Sequence, residues 1–281
     1  MHTENRSIRK KMSTELNQRR NRIVLRIGQH HLSFSSIDMM TSEAPVTYEP
    51  YVIKSGISLA ANLREALKGA SLQQMGYQMA LVMVDAPVLL IPIEVFEVSN
   101  MAEMYAHSFP SKEPQVLLYN VQPDLNAVAV YAINKDVKTV LDDNFPDLKM
   151  MAAVSPVWKH LHRRSFTGMR NKIYGYFHDG KLDIMAFQQN HFRFYNQFET
   201  SHTHDALYFL LYVWNQLMLD VNQDELHLVG EIREKELLLE ELHQYLQNVY
   251  VINPTAEFNR APATLVKGMP FDLVTLFTKG R

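Results

Sequence analysis

The chain has 281 residues, of which 47% are hydrophobic and 21% are charged, a composition typical of globular proteins with an ample core. Its 28 lysines and arginines almost balance its 30 aspartates and glutamates, so no overall charge favours binding to nucleic acid or to an anionic membrane. The absence of cysteine excludes disulfides, thiolate catalysis and cysteine-ligated zinc, and it fits a reducing compartment. No run approaches the roughly 20 apolar residues that a membrane span requires, and a cytoplasmic location is expected.

Positive charges are concentrated at the start of the chain, ahead of the first strand pattern. These cations are Arg6, Arg9, Lys10, Lys11, Arg19, Arg20 and Arg22. No apolar run follows them, so a signal peptide is not expected. Because Glu4 and Glu15 dilute the charge, we predict that residues 1–21 form a basic, disordered tail, with attachment to nucleic acid or to an acidic partner as the alternative.

The first half of the chain contains apolar runs and alternations that are typical of β-strands. Strands are predicted at Ile23–Ile27, Leu32–Ile37, Val46–Ile53, Met79–Val84 and Val88–Ile91. Pro50 places the third strand at a sheet edge, because proline cannot donate a ladder hydrogen bond. Ser58 is expected to cap a helix that ends at Gly69, since serine and glycine are typical of these two helix boundaries.

Residues from about 92 to 150 depart from this order, and we predict that they form a subdomain inserted into a first half at 22–167. Within this region we predict a hairpin of Val116–Val121 with Val128–Ile133, followed by a helix at Asn134–Asp143. A strand at Met151–Val154 and a second helix from Ser155 onward come next.

The second half, predicted at 168–281, has the clearest pattern. Its strands are predicted at Ile173–Phe177, Leu182–Phe187, His191–Phe198, Leu226–Val229 and Val249–Ile252. Its helices are predicted at Ser201–Leu219 and Ile232–Gln247. Asp179 and Gly180 form an Asp-Gly pair, which is typical of a tight hairpin. Period-two alternation in the third strand predicts one shared face for Phe192, Phe194, Asn196 and Phe198.

The second half follows the order strand, strand, strand, helix, strand, helix, strand, and the first half repeats the opening of that order. This layout resembles the superfamily of actin, Hsp70 and sugar kinases. Within it, Val82–Pro92 and Val249–Pro254 are similar to segments of the actin-like proteins of bacterial type IV pilus assembly and cell division. The chain also resembles a group of uncharacterised bacterial proteins with this fold. The resemblance covers about residues 22–260 and implies an α/β, duplicated RNase H-like (actin-like ATPase) fold.

In that superfamily, the first hairpin of each half wraps the phosphates of a nucleotide that lies between the halves. An aspartate in each hairpin holds metal-bound water, and glycine lets backbone amides approach the phosphates. The first hairpin of this chain keeps the glycine, Gly28, but has Arg26 in place of the aspartate. In the second hairpin only Gly180 and Asp183 match the family's frame. Both leading carboxylates are therefore missing.

Gly230 stands where the family places a glycine pair against adenosine, and Glu231 replaces the second glycine. A glutamate side chain at that position would intrude on the space for adenine. The resemblance thus implies vestigial nucleotide contacts, without a catalytic residue or a metal site, at Gly28, Gly180, Asp183 and Gly230. From the residues alone, tight turns explain the glycines equally well, and Asp183 could lie on the surface of its strand.

Other clusters of side chains have less specific interpretations. Histidines that could bind a metal or cap a helix are His30, His31, His202 and His204, the last two beside Asp205. The basic patch Lys159–Arg164 could contact phosphate or an acidic partner, although cations are equally favourable at the end of a helix. A two-metal nuclease needs several carboxylates that converge on the metals. The candidates in this chain, Asp38, Asp85, Asp183 and Glu231, are too scattered in the sequence for that interpretation.

The sequence therefore predicts a non-catalytic protein with a degenerate actin-like ATPase fold and a protein-interaction or scaffold role. No cofactor is expected. The alternative is an ATPase or kinase that binds ATP and magnesium through altered loops, with Arg26 supplying charge in place of the metal. A nucleic-acid module that uses the basic tail and the Lys159–Arg164 patch is less favoured. A protein partner is expected but not identified, and self-association remains open.

Overall fold

The computed structural model describes residues 22–37, 46–71, 77, 79–188 and 191–278. The predicted basic tail at 1–21 and Asp38 lie outside the described residues. The chain divides into two compact units. The first consists of Met1–Ala86, Met101–Asn120 and Val130–Ala153, and the second consists of Pro87–Asn100, Val121–Ala129 and Val154–Arg281.

The first unit is built on a five-stranded sheet with the order β3-β2-β1-β4-β8. These strands are β1 (Arg22–Ile27), β2 (Leu32–Ile37), β3 (Val46–Tyr51), β4 (Met79–Val84) and β8 (Asp147–Ala152). β1 pairs antiparallel with β2 and parallel with β4, and β4 pairs parallel with β8. β3 lies at the edge, as Pro50 predicts, because an edge strand has only one partner to which it must donate hydrogen bonds.

Two helices of the first unit begin at residues whose side chains cap them. The helices of this unit are α1 (Leu59–Gly69), α2 (Met101–Ser108) and α3 (Lys135–Asn144). The Ser58 Oγ accepts a hydrogen bond from the Ala61 amide at 3.2 Å, which confirms the predicted cap. The Asn134 Oδ1 accepts from the amides of Asp136 and Val137 in the same way. α1 packs against α3. Helix α2 was not predicted.

A separate three-stranded sheet follows β4 in the chain, with the order β5-β7-β6. Its strands are β5 (Val88–Pro92), β6 (Gln115–Gln122) and β7 (Ala127–Asn134). The predicted insertion at about 92–150 differs from this arrangement, because α3 packs on α1 and β8 pairs with β4. The strand predicted at Met151–Val154 is also displaced, since the ladder with β4 uses Asp147–Ala152.

The second unit repeats the five-stranded sheet, with the order β11-β10-β9-β12-β13. Its strands are β9 (Lys172–His178), β10 (Lys181–Gln188), β11 (His191–Glu199), β12 (Glu225–Gly230) and β13 (Val249–Val251). β9, β10 and β11 form an antiparallel meander, and β9 pairs parallel with β12 and β12 with β13. Order and strand directions match those of the first sheet, which confirms the predicted duplicated α/β fold.

Helices cover the two faces of the second sheet. They are α4 (Ser155–Ser165), α5 (Thr203–Gln216), α6 (Lys235–His243), α7 (Pro254–Glu257), α8 (Pro262–Leu265) and α9 (Phe271–Phe277). One face is apolar and packs against α5 and α6, with Ile184, Leu210, Trp214 and Leu242 at the centre of the cluster. On the other face α4 contacts β10, and α9 packs against α4. None of the helices in the described part of the chain has the length and apolar character needed to cross a bilayer.

A β-bulge in the meander corrects one detail of the predicted strand pattern. The register between β10 and β11 shifts at Phe187, so that Phe187 lies opposite Phe192. The extra residue turns Phe192 away from the face that carries Phe194 and Phe198. The rings of Phe187 and Phe192 lie 6.2 Å apart at an angle of 64°. The prediction that Phe192 shares a face with Phe194 is therefore wrong.

Candidate functional site

The hairpin between β1 and β2 packs its own histidine against Gly28. The Gly28 amide donates to the His31 carbonyl at 2.9 Å. A Cβ on residue 28 would lie 2.1 Å from the His31 Cε1 atom, so the imidazole could keep this position only beside a glycine. The His31 Nε2 atom is 3.7 Å from a carboxylate oxygen of Asp85, whose side chain is buried. The geometry of this hairpin is enough to explain Gly28.

Arg26 occupies the position where the resemblance places the first aspartate, and it is a buried residue. It is only 2% exposed and belongs to the largest fully buried side chains of the chain. On β1 it lies opposite Ser33 of β2 and beside Met83 of β4. A cation this deeply buried is costly unless it is paired, so its environment must be matched to the guanidinium.

The hairpin between β9 and β10 is the tight turn that the Asp-Gly pair predicts. Asp179 and Gly180 both have positive φ, at 48° and 75°, as a two-residue hairpin loop requires. No atom lies within 4 Å of a Cβ built on Gly180. The backbone conformation therefore explains this glycine without a neighbouring ligand.

Asp183, the carboxylate that the second hairpin keeps, is fully buried, with 0% exposure. One oxygen lies 3.1 Å from the His178 Nε2 atom, and the other accepts a hydrogen bond from the side-chain Nε2 of Gln197 at 2.9 Å. The other ring nitrogen of His178 is 3.4 Å from the Asp179 carboxylate. The interpretation of Asp183 as a surface residue is therefore wrong. Both of its oxygens are engaged by side chains of the same sheet.

The His178 ring is fixed on two sides. It stacks on Tyr176, with ring centroids 4.5 Å apart and an interplanar angle of 18°. A neutral imidazole has only one N–H, whereas both nitrogens of His178 face a carboxylate oxygen. Only a doubly protonated ring can donate to Asp179 and Asp183 together. Each oxygen of the buried Asp183 carboxylate therefore already has a side-chain partner inside the protein.

Gly230 ends β12 against the backbone of β9. Its φ is +101°, and a Cβ at this position would lie 2.0 Å from the Phe177 carbonyl oxygen. That oxygen accepts a hydrogen bond from the Glu231 amide at 2.9 Å. Gly230 is therefore required by the contact between two strand ends, and Glu231 follows it as an exposed residue.

Two cavities of the second unit adjoin these loops. The larger, of about 300 Å³, is lined by Tyr176, His178, Gly230, Glu231 and residues of the segment 254–274. The smaller, of about 140 Å³, is lined by the β9–β10 turn, the start of α5 and residues near Glu231. Its charged residues are two cations and two carboxylates, namely Lys181, Arg233, Asp179 and Glu231. These charges balance, so the smaller cavity has no net preference for an anion such as phosphate.

Residues 10–249 match the family described as protein of unknown function, DUF3822. This chain belongs to that family. A crystal structure from Bacteroides thetaiotaomicron VPI-5482, of a protein with actin-like ATPase fold and unknown function, is 25% identical at a TM-score of 0.81. The alignment covers 94% of this chain and 97% of that chain. A comparison with curated proteins finds no match.

A second solved structure is the PilM–PilN type IV pilus biogenesis complex, at 12% identity and a TM-score of 0.51. The alignment covers 92% of this chain and 98% of that chain. Together with the structure from Bacteroides thetaiotaomicron, it confirms the actin-like ATPase fold and the resemblance to actin-like proteins of type IV pilus assembly.

The histidines and cations considered in the sequence have structural partners in the second unit. The Asp205 carboxylate accepts from the amides of Ser201 and His202 at 3.0 and 2.8 Å, so it caps α5. The ring of His204 is 3.4 Å from Glu241 of α6. These contacts account for the cluster at the start of α5 without a metal ion.

A carboxylate of α7 contacts two side chains of the basic patch Lys159–Arg164. Glu257 lies 3.1 Å from the His160 Nε2 atom and also pairs with Arg164. The hydrogen bond from His160 lowers the pKa of the Glu257 carboxyl below its ordinary value, and the hydrogen bond from Arg164 adds to this effect against the opposing influence of burial. His160 and Arg164 therefore have a partner within the second unit.

A polar stack lies on the face of the second sheet that carries Lys172. His227 is stacked between Tyr174 and Tyr250, with centroid distances of 5.3 and 5.1 Å, and its Nε2 atom is 3.0 Å from Glu225. Burial lowers the pKa of His227, and burial also lowers the pKa of Lys172. These groups favour their uncharged forms more than they would in water.

Sequence reasoning missed the two side chains that engage Asp183. Gln197 lies directly opposite Asp183 in the ladder between β10 and β11, and His178 lies on the neighbouring strand β9. The two-residue turn fixes the register between β9 and β10, but Asp183 meets Gln197 across the β10–β11 ladder, whose register shifts at the bulge. Neither the Asp183–Gln197 pair nor the orientation of the His178 ring was therefore predictable from strand alternation.

Proposed function

We propose that this protein is a non-catalytic, protein-binding member of the actin-like ATPase fold that works in the cytoplasm as an interaction partner or scaffold. The observation that supports this most directly is Asp183, whose carboxylate is fully buried and hydrogen-bonded at both oxygens. Magnesium is a hard ion that takes oxygen ligands and usually keeps several waters. The Asp183 carboxylate is withdrawn from solvent and already contacts His178 and Gln197, so it is poorly placed to orient such a water.

Two of the three glycines implied by the resemblance support the same proposal. At Gly28 the space beside the glycine holds the His31 ring, and at Gly230 it holds the Phe177 carbonyl. In both places the close approach that glycine permits is made by atoms of the same chain. The alternative, a nucleotide-binding ATPase or kinase, would require these contacts to be replaced by a phosphate or a nucleoside.

Protein binding is a role that a protein of this fold can have without phosphate chemistry. PilM, a protein of the same fold, is known in a complex with PilN. The second unit also presents exposed aromatic residues, among them Phe166 at 56% and Tyr208 at 62% exposure. A cytoplasmic location agrees with the absence of cysteine, because thiol-free chains need no oxidising compartment.

ATP turnover and nucleotide binding test the non-catalytic part of the proposal. The full chain and its Asp183→Asn variant are incubated with millimolar ATP and Mg²⁺, with an active ATPase of this fold as positive control. We expect no turnover above the protein-free rate in either chain, and no heat of binding for ATP, ADP or GTP. Magnesium-dependent turnover by the natural chain that Asp183→Asn reduces at least tenfold would refute the proposal.

Partner binding tests the remaining part. The tagged full chain is purified from its own cells in buffers with and without Mg-ATP, and co-purifying proteins are quantified by mass spectrometry. We expect a stoichiometric protein partner whose recovery does not change with nucleotide. A partner that is recovered only with Mg-ATP, or the absence of any stoichiometric protein, would contradict the proposal.

A further inference from the structure

A groove of about 760 Å³ lies in the second unit, away from the hairpins and strand ends described above. One wall is formed by the ends of β5 and β7 and the turn between β6 and β7, with Pro92, Pro123 and Asn126. The start of β11 lines the other side with His191, Phe192 and Arg193, and His162 of α4 and Phe166 at its end complete the lining. We call this region the peptide groove. Neither the resemblance nor the family description assigns a role to this region.

The β-bulge gives the peptide groove its aromatic floor. By turning Phe192 away from Phe194, the bulge places it beside Phe187 and the groove. His162 contacts Phe166 and Phe187, with centroid distances of 5.0 and 5.5 Å. Phe166 remains 56% exposed, although its contact with His162 fixes one edge of the ring. An aromatic ring that is held in place but still accessible is typical of a binding surface, since little entropy is lost when it is covered.

The wall opposite β11 is preorganised. Pro92 and Pro123 fix their own φ angles, and Asn126 adopts a left-handed conformation with φ of 50°. The Asn126 carbonyl accepts from the Ile93 amide at 3.1 Å, and its side-chain amide donates to Glu94 at 2.6 Å. This side of the groove is therefore held in its conformation by contacts within the chain.

An extended polypeptide is the shape that this groove accepts. β11 is an edge strand of its sheet, and no described strand pairs with its outer side. Edge strands offer unpaired backbone N–H and C=O groups, to which an extended segment of another protein can add. Four aliphatic residues of the same unit, Ile93, Val95, Val98 and Val121, are also exposed. Exposed apolar side chains favour a protein segment over a small metabolite.

The charge of the β11 wall defines the partner further. His191 and Arg193 are exposed on either side of Phe192, and neither makes an ion pair or side-chain hydrogen bond with a described residue. The one carboxylate that lines the groove, Asp124, is on the opposite wall. An apolar side chain on the aromatic floor would therefore place its neighbouring residue beside Arg193, where a carboxylate is favoured.

We propose that the peptide groove binds an extended segment of a partner protein, with an apolar side chain on Phe166 and Phe192 and a neighbouring carboxylate paired with Arg193. This inference rests on the proposed protein-binding function and assigns its location and the chemistry of its partner. The groove is lined only by residues of the second unit. It lies apart from Gly28, Gly180, Asp183 and Gly230, so it needs no nucleotide.

The test uses random 12-residue peptides displayed on phage and selected on the full chain. Enriched peptides are synthesised, and their dissociation constants are measured by fluorescence anisotropy. We expect enriched sequences with an aromatic or aliphatic residue next to Asp or Glu. Their affinity should fall at least tenfold for Phe166→Ala and for Arg193→Glu, and changing the peptide carboxylate to Lys or Arg should restore binding to Arg193→Glu.

Two matched variants control for general surface effects. Tyr245 is 56% exposed, like Phe166, and Lys267 is an exposed cation of the same unit. Tyr245→Ala and Lys267→Glu should change the affinity less than twofold. Thermal unfolding should show that all four variants are folded, because each site is solvent-exposed. The charge-swapped peptide provides a second check, since a merely unfolded Arg193→Glu variant could not regain binding.

Equal affinity of all four variants, failure of the charge swap, or the absence of any enriched peptide would overturn the groove assignment. These outcomes are separate from those of the ATP experiment. If no peptide depends on the groove while turnover is absent, the assignment fails and the non-catalytic proposal stands. If the chain hydrolyses ATP and peptides still depend on Phe166 and Arg193, the non-catalytic proposal fails and the groove assignment stands.

Discussion

Gly230 and Gly180 both have a left-handed backbone, but only Gly230 also lies against another segment of backbone. At Gly180, with φ of 75°, a side chain would meet open space. At Gly230, with φ of 101°, a Cβ would lie 2.0 Å from the Phe177 carbonyl oxygen, a distance at which the strand ends must separate. The two positions therefore distinguish conformational strain from strain combined with a steric clash.

Replacing these glycines by alanine should give unequal losses of stability. Gly180→Ala should cost about 1–2 kcal/mol in the free energy of unfolding, the usual penalty for a side chain in the left-handed region. Gly230→Ala should cost clearly more, because the clash with Phe177 adds to that penalty. Urea unfolding measures both values, with Gly69→Ala as a control that has open space and an ordinary backbone. Equal losses at Gly180 and Gly230 would mean that the contact with Phe177 relaxes without cost.

At the scale of elements, Glu257 connects α7 to α4 through His160 and Arg164. These two hydrogen bonds lower the pKa of Glu257 below the ordinary 4.5, so the folded state favours the carboxylate more than the unfolded chain does. A carboxyl of this kind stabilises the fold fully above the unfolded pKa, and the stabilisation is lost as the pH falls through the folded pKa. Glu257→Gln should therefore reduce stability at pH 7 by about 1–3 kcal/mol, the usual range for a charged hydrogen bond.

The pH dependence separates this effect from simple loss of packing. The difference in melting temperature between the natural chain and Glu257→Gln should be present above the ordinary carboxyl pKa of 4.5. It should shrink below about pH 4.5, where the carboxyl becomes protonated in the unfolded chain. Glu240→Gln, an exposed carboxylate on α6, serves as control and should change little at any pH. A difference that stays the same down to pH 3 would argue against the ionic role of Glu257.

The elements that the sequence predicted well have long or strictly alternating patterns. Strands β1, β2, β4, β9 and β10 were found within one residue at each end. The short helices α7, α8 and α9 were missed, because segments of four to seven residues are too short for a helical period to emerge. The bulge at Phe192 was missed for a different reason. An extra residue changes which face every following side chain occupies, and a single strand's alternation does not contain that information.

The resemblance names candidate positions in the loops but says nothing of the contacts that the side chains there make. Gly28, Gly180, Asp183 and Gly230 could be named from the resemblance, because strand order fixes where the loops fall. The engagement of Asp183 depends on three adjacent strands in register, with Gln197 on one side and His178 on the other. Such a contact becomes visible only when side-chain directions across the sheet are known.

At the scale of the whole molecule, the duplication places equivalent strands at equivalent positions of the two sheets. β1 and β9 each lie between an antiparallel and a parallel neighbour, whereas β3 and β11 lie at the edges. All seven residues of β9 and five of the six residues of β1 are buried. Amide exchange requires that hydrogen bonds open, and central strands open only with the surrounding sheet.

Hydrogen exchange should therefore show the same order of protection in both halves. Amides of β1 and β9 should exchange at least about tenfold more slowly than those of β3 and β11, because edge strands can open without disrupting a second ladder. Exchange measured by mass spectrometry on peptides that cover each strand provides the comparison, and the two sheets act as internal controls for each other. If β11 were as strongly protected as β9, its outer side would already be covered in the free protein. The edge would then be closed to an added segment, so this measurement also bears on the access that the peptide groove requires.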